Sequence, residues 1–345
     1  MHFQATVRRL LAHRVELSSA SRLWNAVQCP QPPRMDAAPA DDGVSRAELS
    51  FALGLALFGD LVKRVPEAGR YLQRVADDGG TIVFDHGALR TVARPSGELP
   101  PGEAAFTRFL SALGYRLGGT YPLPRLKMTG RSYVHEDLPE DLPQYFVSEL
   151  HPERFGDDFR RAVTRVVGSC TDPLRPADVA RIERLRRDKA LPLADARALL
   201  DALMRCFGRQ HGNVRLADYE ALLAESAEMA WIATEGNAFN HATDRVADVH
   251  RLAGHLRREG YAVKDAVEVS ATGRVRQTAL KAAEVERSFL HDGRFVTRRV
   301  PGSFYEFISR DRIEHAGSAA APLDLGFDSG NATGIFRMTA AEVAA

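Results

Sequence analysis

The amino-acid sequence predicts an α+β protein in which two strand–helix–strands modules form one curved sheet, with a helical insert between them. Similar heptapeptides, "FDHGALR" and "FNHATDR", begin the modules, and each is followed by a helix, strands and an aromatic strand that contains a carboxylate. The intervening residues 152–232 show helical periodicity only. The repeat therefore predicts two related halves separated by an insert.

The composition limits the classes of partner. The chain has 345 residues, 45% of them hydrophobic, and its 46 basic and 45 acidic residues give a net charge of +1, which disfavours nucleic acid and anionic membranes. The longest apolar run, "LSFALGLALF", is shorter than the ~18 residues that a membrane helix needs. Three cysteines without CxxC spacing disfavour disulfides and a thiolate zinc site and indicate a reducing, cytoplasmic location: Cys29, Cys170 and Cys206.

The first 34 residues are rich in Arg and Ser and contain one acid, Glu16, which is typical of an organellar transit peptide. An extension without a targeting role explains the same composition. The Pro/Ala/Asp-rich stretch that follows indicates a boundary. We therefore expect an extension or linker at 1–44, a candidate for disorder, then the first module at 45–150, the insert at 151–235 and the second module with a tail at 236–345.

The first module begins with two helices, at 45–64 and 66–76, where apolar residues recur at helical spacing. The period then changes to that of a strand at 81–92, with Phe84, His86, Ala88 and Arg90 on one face. His86 and Arg90 point the same way, roughly 13 Å apart at ~3.3 Å per residue. A helix at 102–115 and strands at 125–135 and 143–151 complete the module.

The insert reads as amphipathic helices, and its arginines interleave with acidic residues. A solvated, salt-bridged helix face explains this pattern better than a nucleic-acid surface. Strand character returns at 236–246, followed by a helix at 246–261, strands, and the aromatic strand "GSFYEFISR".

The repeat places chemistry-bearing residues at matching positions. His86 and His241 begin the two modules, and Glu149 and Glu306 lie on the aromatic strands, at nearly the same chain separation from their histidines. A single strand histidine is more typical of a core, but two at matching positions favour metal ligands. Burying a carboxylate among aromatic residues, as at Glu306, is costly unless it is paired or bound to a metal.

Two imidazoles and one carboxylate are the ligand set of non-haem iron(II) sites, which leave three positions for substrate and dioxygen. Zinc and manganese also accept these ligands. Alternative interpretations are therefore a zinc- or manganese-dependent isomerase or lyase, an extradiol dioxygenase, or a non-catalytic protein that binds a metal or a dicarboxylate. No Ser/His/Asp order, phosphate loop or dinucleotide fingerprint is present.

Several segments together resemble the 2-oxoadipate dioxygenase/decarboxylase family, also called 2-hydroxyglutarate synthase. They are "FDHGALR", "YPLPRLKMTGRSYVHEDLPEDLPQYFVSELHPERF", "GNAFNHATDRV", "VPGSFYEFISRD" and "GFDSGNATGIFRMT". The resemblance covers about residues 45–340 and implies a fold related to the vicinal oxygen chelate superfamily. It also implies conversion of 2-oxoadipate and dioxygen to 2-hydroxyglutarate in lysine degradation.

The resemblance implies specific site residues. Iron(II) would be held by His86, His241 and Glu306, Arg90 would bind a substrate carboxylate, and Ile335 would shape the pocket. Three other arginines are candidates for binding the distal carboxylate of a 2-oxo dicarboxylate: Arg245, Arg125 and Arg131.

Overall fold

The computed structural model describes residues 2–12, 26–30, 43–314 and 321–328. Ile335 lies outside these ranges. The described strands are β1 (Gly43–Ser45), β2 (Phe84–Val92), β3 (Tyr115–Leu123), β4 (Met128–His135), β5 (Gln144–Leu150), β6 (Ala190–Pro192), β7 (His241–Arg245), β8 (Glu268–Val269), β9 (Val275–Ala279), β10 (Glu284–His291), β11 (Arg294–Pro301) and β12 (Phe304–Arg310).

The described α-helices are α1 (His2–Leu11), α2 (Arg46–Arg64), α3 (Pro66–Asp77), α4 (Ala104–Leu110), α5 (Asp157–Val167), α6 (Pro176–Asp188), α7 (Leu193–Cys206), α8 (Leu216–Glu225), α9 (Ala227–Glu235) and α10 (Val249–Arg258). None of them combines the length and apolar character needed to cross a membrane. Helix α2 begins with a capping box, in which Ser45 and Glu48 bind each other's backbone N–H groups.

Eight strands form one curled sheet in the order β3-β4-β5-β2-β7-β12-β9-β8. Its two halves have the same internal arrangement: β2 is parallel to β5, β7 is parallel to β12, and every other pairing is antiparallel. The halves meet where β2 pairs antiparallel with β7, so the two heptapeptides lie side by side at the centre of the sheet. The predicted α+β architecture is confirmed.

Strand β2 differs from the regular strand that the sequence predicts, because its pairing with β7 is irregular between Phe84 and His86. The Phe84 ring packs 5.0 Å from the ring of Phe58 on α2, among the apolar residues of the main core. The expectation that Phe84 shares a face with His86 is therefore wrong. An extra residue in the strand reverses which side chains face each side of the sheet.

The main core lies where α2, α3, α4 and α7 cover one side of the sheet. Helix α1 adds Val7, Leu10 and Leu11 to this core. A second cluster joins α5, α8 and α9 to the ends of β2, β4 and β5. The arginines of α5 and α6 pair with acidic residues of the same region, as the interleaved charges predict.

Candidate metal centre

His86, His241 and Glu306 lie on the adjacent strands β2, β7 and β12 and face the same side of the sheet. One ligand atom from each can be chosen so that all lie within 4.8 Å of one another. Oε2 of Glu306 is 3.2 Å from Nε2 of His241 and 3.5 Å from Nε2 of His86. The structure thus brings together the three residues that the resemblance implies as ligands.

The residue before each histidine contacts the Nδ1 atom of that histidine. Asp85 lies 2.8 Å from Nδ1 of His86, so that Nδ1–H donates to the carboxylate and Nε2 is left free to bind a metal. Nδ2 of Asn240 lies 3.1 Å from Nδ1 of His241, and the buried Oδ1 of Asn240 has no hydrogen-bond partner within the described ranges. If the Asn240 amide is rotated by about 180°, its Oδ1 accepts a hydrogen bond from Nδ1–H of His241, and Nε2 of His241 is left free to bind a metal as well.

The carboxylate of Glu306 is fully buried and only half satisfied. Oε2 accepts a hydrogen bond of 2.8 Å from the hydroxyl of Thr243, whereas the buried Oε1 has no hydrogen-bond partner among the residues that the structure describes. An unsatisfied carboxylate oxygen beside two Nε2 atoms fits a bound metal cation, because a cation offsets the cost of burial. The residues present therefore fit the metal that the resemblance implies.

The charges of the three residues favour metal binding. Burial raises the pKa of Glu306, but its electrostatic interactions with His241 and His86 and its hydrogen bonds with His86 and Thr243 outweigh burial and hold the pKa below its usual value. Burial lowers the pKa of His241 to about 3, so this imidazole is neutral at pH 7. Burial also lowers the pKa of His86, but hydrogen bonds with Asp85 and Glu306 raise it overall. A cation that replaces the Nε2 proton of His86 would take over its interaction with Glu306 and leave the Nδ1–H hydrogen bond to Asp85 in place.

A pocket opens on the three candidate ligands. Its wall combines apolar groups with neutral polar groups and one further acid, namely Ala88, Phe146, Ser148, Asn240, Gln277, Phe327 and Asp328. The Phe327 ring stands edge-on to His86, 4.8 Å between ring centres, and packs 4.9 Å from Phe146. Phe327 thus covers one side of the site with an apolar surface.

Glu149, the alternative carboxylate, is not near the histidines. It lies on β5 with its side chain bonded to the backbone N–H of Glu103 and to Arg131, on the side of the sheet opposite the pocket-lining Ser148. The pairing register identifies Phe146 as the counterpart of Glu306. Glu306 pairs with the residue two positions after His241, and Phe146 pairs with the residue two positions after His86.

Arg90 lies four residues after His86 on the same strand face and pairs with Ser148 of β5. Its side chain is fully buried, and its guanidinium carbon is 5.1 Å from the centre of the Trp231 ring. Burial lowers the pKa of Arg90 to about 10, so it is charged at neutral pH. Ala88 and Ser148 line the pocket, whereas Arg90 is not among the residues that line it.

The other candidate arginines have different surroundings. Arg245, the repeat counterpart of Arg90, donates to the backbone oxygen of Glu140 and lies 3.9 Å from Asp85. Arg131 pairs with Glu103 and Glu149 away from the pocket. Arg125 lies in the turn between β3 and β4 and does not line the pocket.

Sequence reasoning missed four residues that surround the candidate ligands: Asp85, Thr243, Arg310 and Phe327. For two of them, the sequence contains a pattern that could have indicated a role at the site. Asp85 aligns with Asn240 in the repeated heptapeptides, and Arg310 follows Glu306 at the spacing with which Arg90 follows His86. Thr243 aligns with Ala88 and Phe327 lies outside the repeat, so nothing in the pattern pointed to them.

The profile of the family described as 2-oxoadipate dioxygenase/decarboxylase matches residues 56–320. No curated protein matches the chain significantly. Among crystal structures, that of a "putative glyoxalase superfamily protein" from Ralstonia eutropha JMP134 is 52% identical to this chain, with a TM-score of 0.89 over 94% of this chain and 98% of that one.

Two more distant crystal structures share the fold. Hydroxyglutarate synthase from Oryza sativa, in complex with 2-oxoadipate, is 20% identical, with a TM-score of 0.67 over 92% of this chain and 99% of that one. The Pseudomonas putida hydroxyglutarate synthase, also in complex with 2-oxoadipate, is 21% identical, with a TM-score of 0.64 over 87% and 74% of the two chains. With the profile match spanning most of its length, the chain belongs to the 2-oxoadipate dioxygenase/decarboxylase family.

Proposed function

We propose that this protein is an iron(II)-dependent dioxygenase that converts 2-oxoadipate and dioxygen into 2-hydroxyglutarate and carbon dioxide. The observation that carries the proposal is the buried group of His86, His241 and Glu306 in a chain of this family. When bound, iron(II) would supply open coordination positions and the electrons that activate dioxygen. The 2-oxoadipate bound to the rice and Pseudomonas putida relatives supports the choice of substrate.

The proposed reaction balances without an added reductant. The bond between C1 and C2 of 2-oxoadipate breaks, and C1 leaves as carbon dioxide. One atom of dioxygen enters the new carboxylate at C2, and the other replaces a C3–H bond with C3–OH, the hydrogen becoming the hydroxyl hydrogen. The product is 2-hydroxyglutarate.

The residues around the ligands have separate roles in this proposal. Asp85 and Asn240 hold the two imidazoles in the orientation that directs Nε2 toward the metal. Phe146 and Phe327 keep water away from the reacting carbons, which limits side reactions. Arg90 receives the distal carboxylate, because a guanidinium can bind it through two hydrogen bonds.

Reconstitution tests the proposal. The protein is loaded with iron(II) without oxygen, and 2-oxoadipate and dioxygen are then added while oxygen uptake, carbon dioxide and 2-hydroxyglutarate are measured. We expect the three quantities to be equal and to vanish in His241→Ala. Iron-loaded protein that consumes no oxygen would overturn the proposal, and turnover of a substrate without oxygen uptake by the zinc or manganese form would favour an isomerase or lyase.

A further inference from the structure

Arg310, at the end of β12, is the hub of a buried hydrogen-bond network beside the metal site. Its Nε and Nη2 atoms each donate to Asp85 at 2.9 Å, and its Nη1 donates to the backbone oxygens of Asp324 and Gly326, at 2.9 and 2.7 Å. Its guanidinium carbon lies 4.9 Å from the centre of the Phe327 ring. The Arg310 side chain is completely buried, so every contact is made within the protein.

The Asp85 end of this network reaches a candidate metal ligand directly. The same Oδ1 atom that accepts from Nη2 of Arg310 lies 2.8 Å from Nδ1 of His86. Asp85 is 5% exposed, and a buried carboxylate with this geometry fixes both the tautomer and the ring orientation of the histidine. Movement of Arg310 would therefore alter the position of Nε2 of His86.

The other end holds residues 321–328, which we call the closing segment. Phe327 of this segment covers His86, and Asp328 lines the pocket. Both halves of the sheet bind the segment. In the first half, Tyr121 accepts from the Phe327 N–H and Gln144 donates to the Leu325 oxygen. On the side of the second half, Arg274 donates to the Asp324 carboxylate, in addition to the contacts of Arg310. The segment thus bridges the pocket from one half to the other.

We infer that Arg310 is a positioning residue, which couples the seating of the closing segment over the pocket to the orientation of the His86 ligand through Asp85. One planar guanidinium makes both sets of contacts, so the geometry that satisfies Asp85 also satisfies the two backbone oxygens. A metal bound to His86 then favours the closed segment, and the closed segment favours the metal by the same factor. The inference rests on the metal site of the proposed function, and it does not depend on the substrate.

Hydrogen exchange with and without Co(II) tests the coupling without an activity assay. Three backbone amides of the closing segment donate hydrogen bonds to groups outside the segment and report its seating: Leu323, Asp324 and Phe327. In the wild type, saturating Co(II) should slow their exchange by about 10-fold or more. In Arg310→Gln, the Kd for Co(II) should rise about 10- to 100-fold, and saturating Co(II) should no longer slow the exchange.

Asp85→Asn provides a second test, because the amide still accepts from Nδ1–H of His86 but no longer carries the charge that faces Arg310. We expect that Co(II) no longer slows exchange in the closing segment of this variant. The double variant with Arg310→Gln should show no further loss, because both substitutions break the same contact between Asp85 and Arg310. The double variant also removes both buried charges together, so it tests the inference even if Arg310→Gln alone fails to fold.

Arg312→Gln is the matched control. Arg312 donates to the backbone oxygen of Ala321 in the closing segment and pairs with Glu140, but it does not contact Asp85. We expect faster exchange at Leu323, an unchanged Kd for Co(II) and intact slowing by the metal. Arg310→Gln with unchanged Kd, or with exchange still slowed by Co(II) as in the wild type, would overturn the inference, whereas a wild type that binds no metal would reject the proposed function as well.

Discussion

Asp85 and Asn240 occupy equivalent positions in the two halves of the sheet, and each contacts Nδ1 of the histidine that follows it, at 2.8 and 3.1 Å. The first is a carboxylate neutralised by Arg310, and the second is an uncharged amide. The two imidazoles are therefore held alike but polarised differently. A carboxylate makes its histidine a stronger donor to a metal than an amide does.

Asn240→Asp should make the protein more dependent on metal. The new carboxylate would be buried beside His241, so its charge would destabilise the metal-free protein. A divalent cation would offset that charge. We expect the rise in Tm on adding Zn(II) or Co(II) to exceed that of the wild type by about 1–2 °C, corresponding to ~1 kcal/mol. An equal or smaller rise in a thermal melt would contradict this assignment of Asn240.

Glu306→Gln should lower metal affinity by about 100-fold or more, because the amide removes the anionic ligand while keeping the size of the side chain. Glu149→Gln is the matched control, since Glu149 has the same side chain on the equivalent half of the sheet but binds Arg131 and the Glu103 N–H. Co(II) titration followed by absorbance measures both. If Glu149→Gln weakens metal binding as much as Glu306→Gln, Glu306 is not the third ligand.

Arg90→Met should reduce the preference for a dicarboxylate while leaving metal affinity unchanged. If Arg90 binds the distal carboxylate, kcat/KM for 2-oxoadipate should fall about 100-fold, or ~3 kcal/mol, whereas kcat/KM for 2-oxohexanoate, which lacks that carboxylate, should change little. Arg245→Met removes the repeat counterpart and should leave the ratio of the two substrates unchanged. An unaltered ratio in Arg90→Met would show that another group binds the distal carboxylate.

Asp244 gives the folded protein a measurable pH dependence. Burial raises the pKa of its carboxyl to about 7, even though Tyr71 and the Val83 N–H donate hydrogen bonds to it. The folded protein therefore keeps a proton that the unfolded chain releases near pH 4. The contribution of this group to stability is fully present below that pH and is lost as the pH rises toward 7.

Asp244→Asn should remove that loss, because the amide stays neutral and its oxygen still accepts from the Val83 N–H. We expect the variant to gain free energy of unfolding relative to the wild type as the pH rises from 5 to 8, by ~1–3 kcal/mol. Urea unfolding at the two pH values measures the difference. A difference between variant and wild type that is the same at both values would contradict the raised pKa.

The histidine positions could be predicted because the repeat is visible as two similar short segments of the sequence. The two heptapeptides place His86 and His241 in equivalent settings, and the structure pairs their strands at the centre of the sheet. The choice between the two glutamates could not be made from chain separation. A shift of one residue moves a side chain to the other face of a strand, and Glu149 differs from the pocket-lining positions of β5 by that single step.

The closing segment could not be predicted for a different reason. Its contacts join distant parts of the chain, such as the Phe327 N–H and the Tyr121 hydroxyl, which are 206 residues apart. Likewise, Asp85 and Arg310 are 225 residues apart, and neither local periodicity nor the repeat specifies that they pair. Such contacts depend on the assembled sheet, whereas periodicity reports only which face a residue occupies.

The two halves of the sheet differ at one pair of equivalent positions, where one half has an aromatic ring and the other has a carboxylate. This difference sets how many donor groups the protein offers to a metal. Phe146 stands in the first half where Glu306 stands in the second. Two identical halves would offer four protein donors, a number typical of metal sites that are purely structural. With Phe146 in place of the fourth donor, the candidate centre keeps three protein donors, so a metal held there would retain open coordination positions.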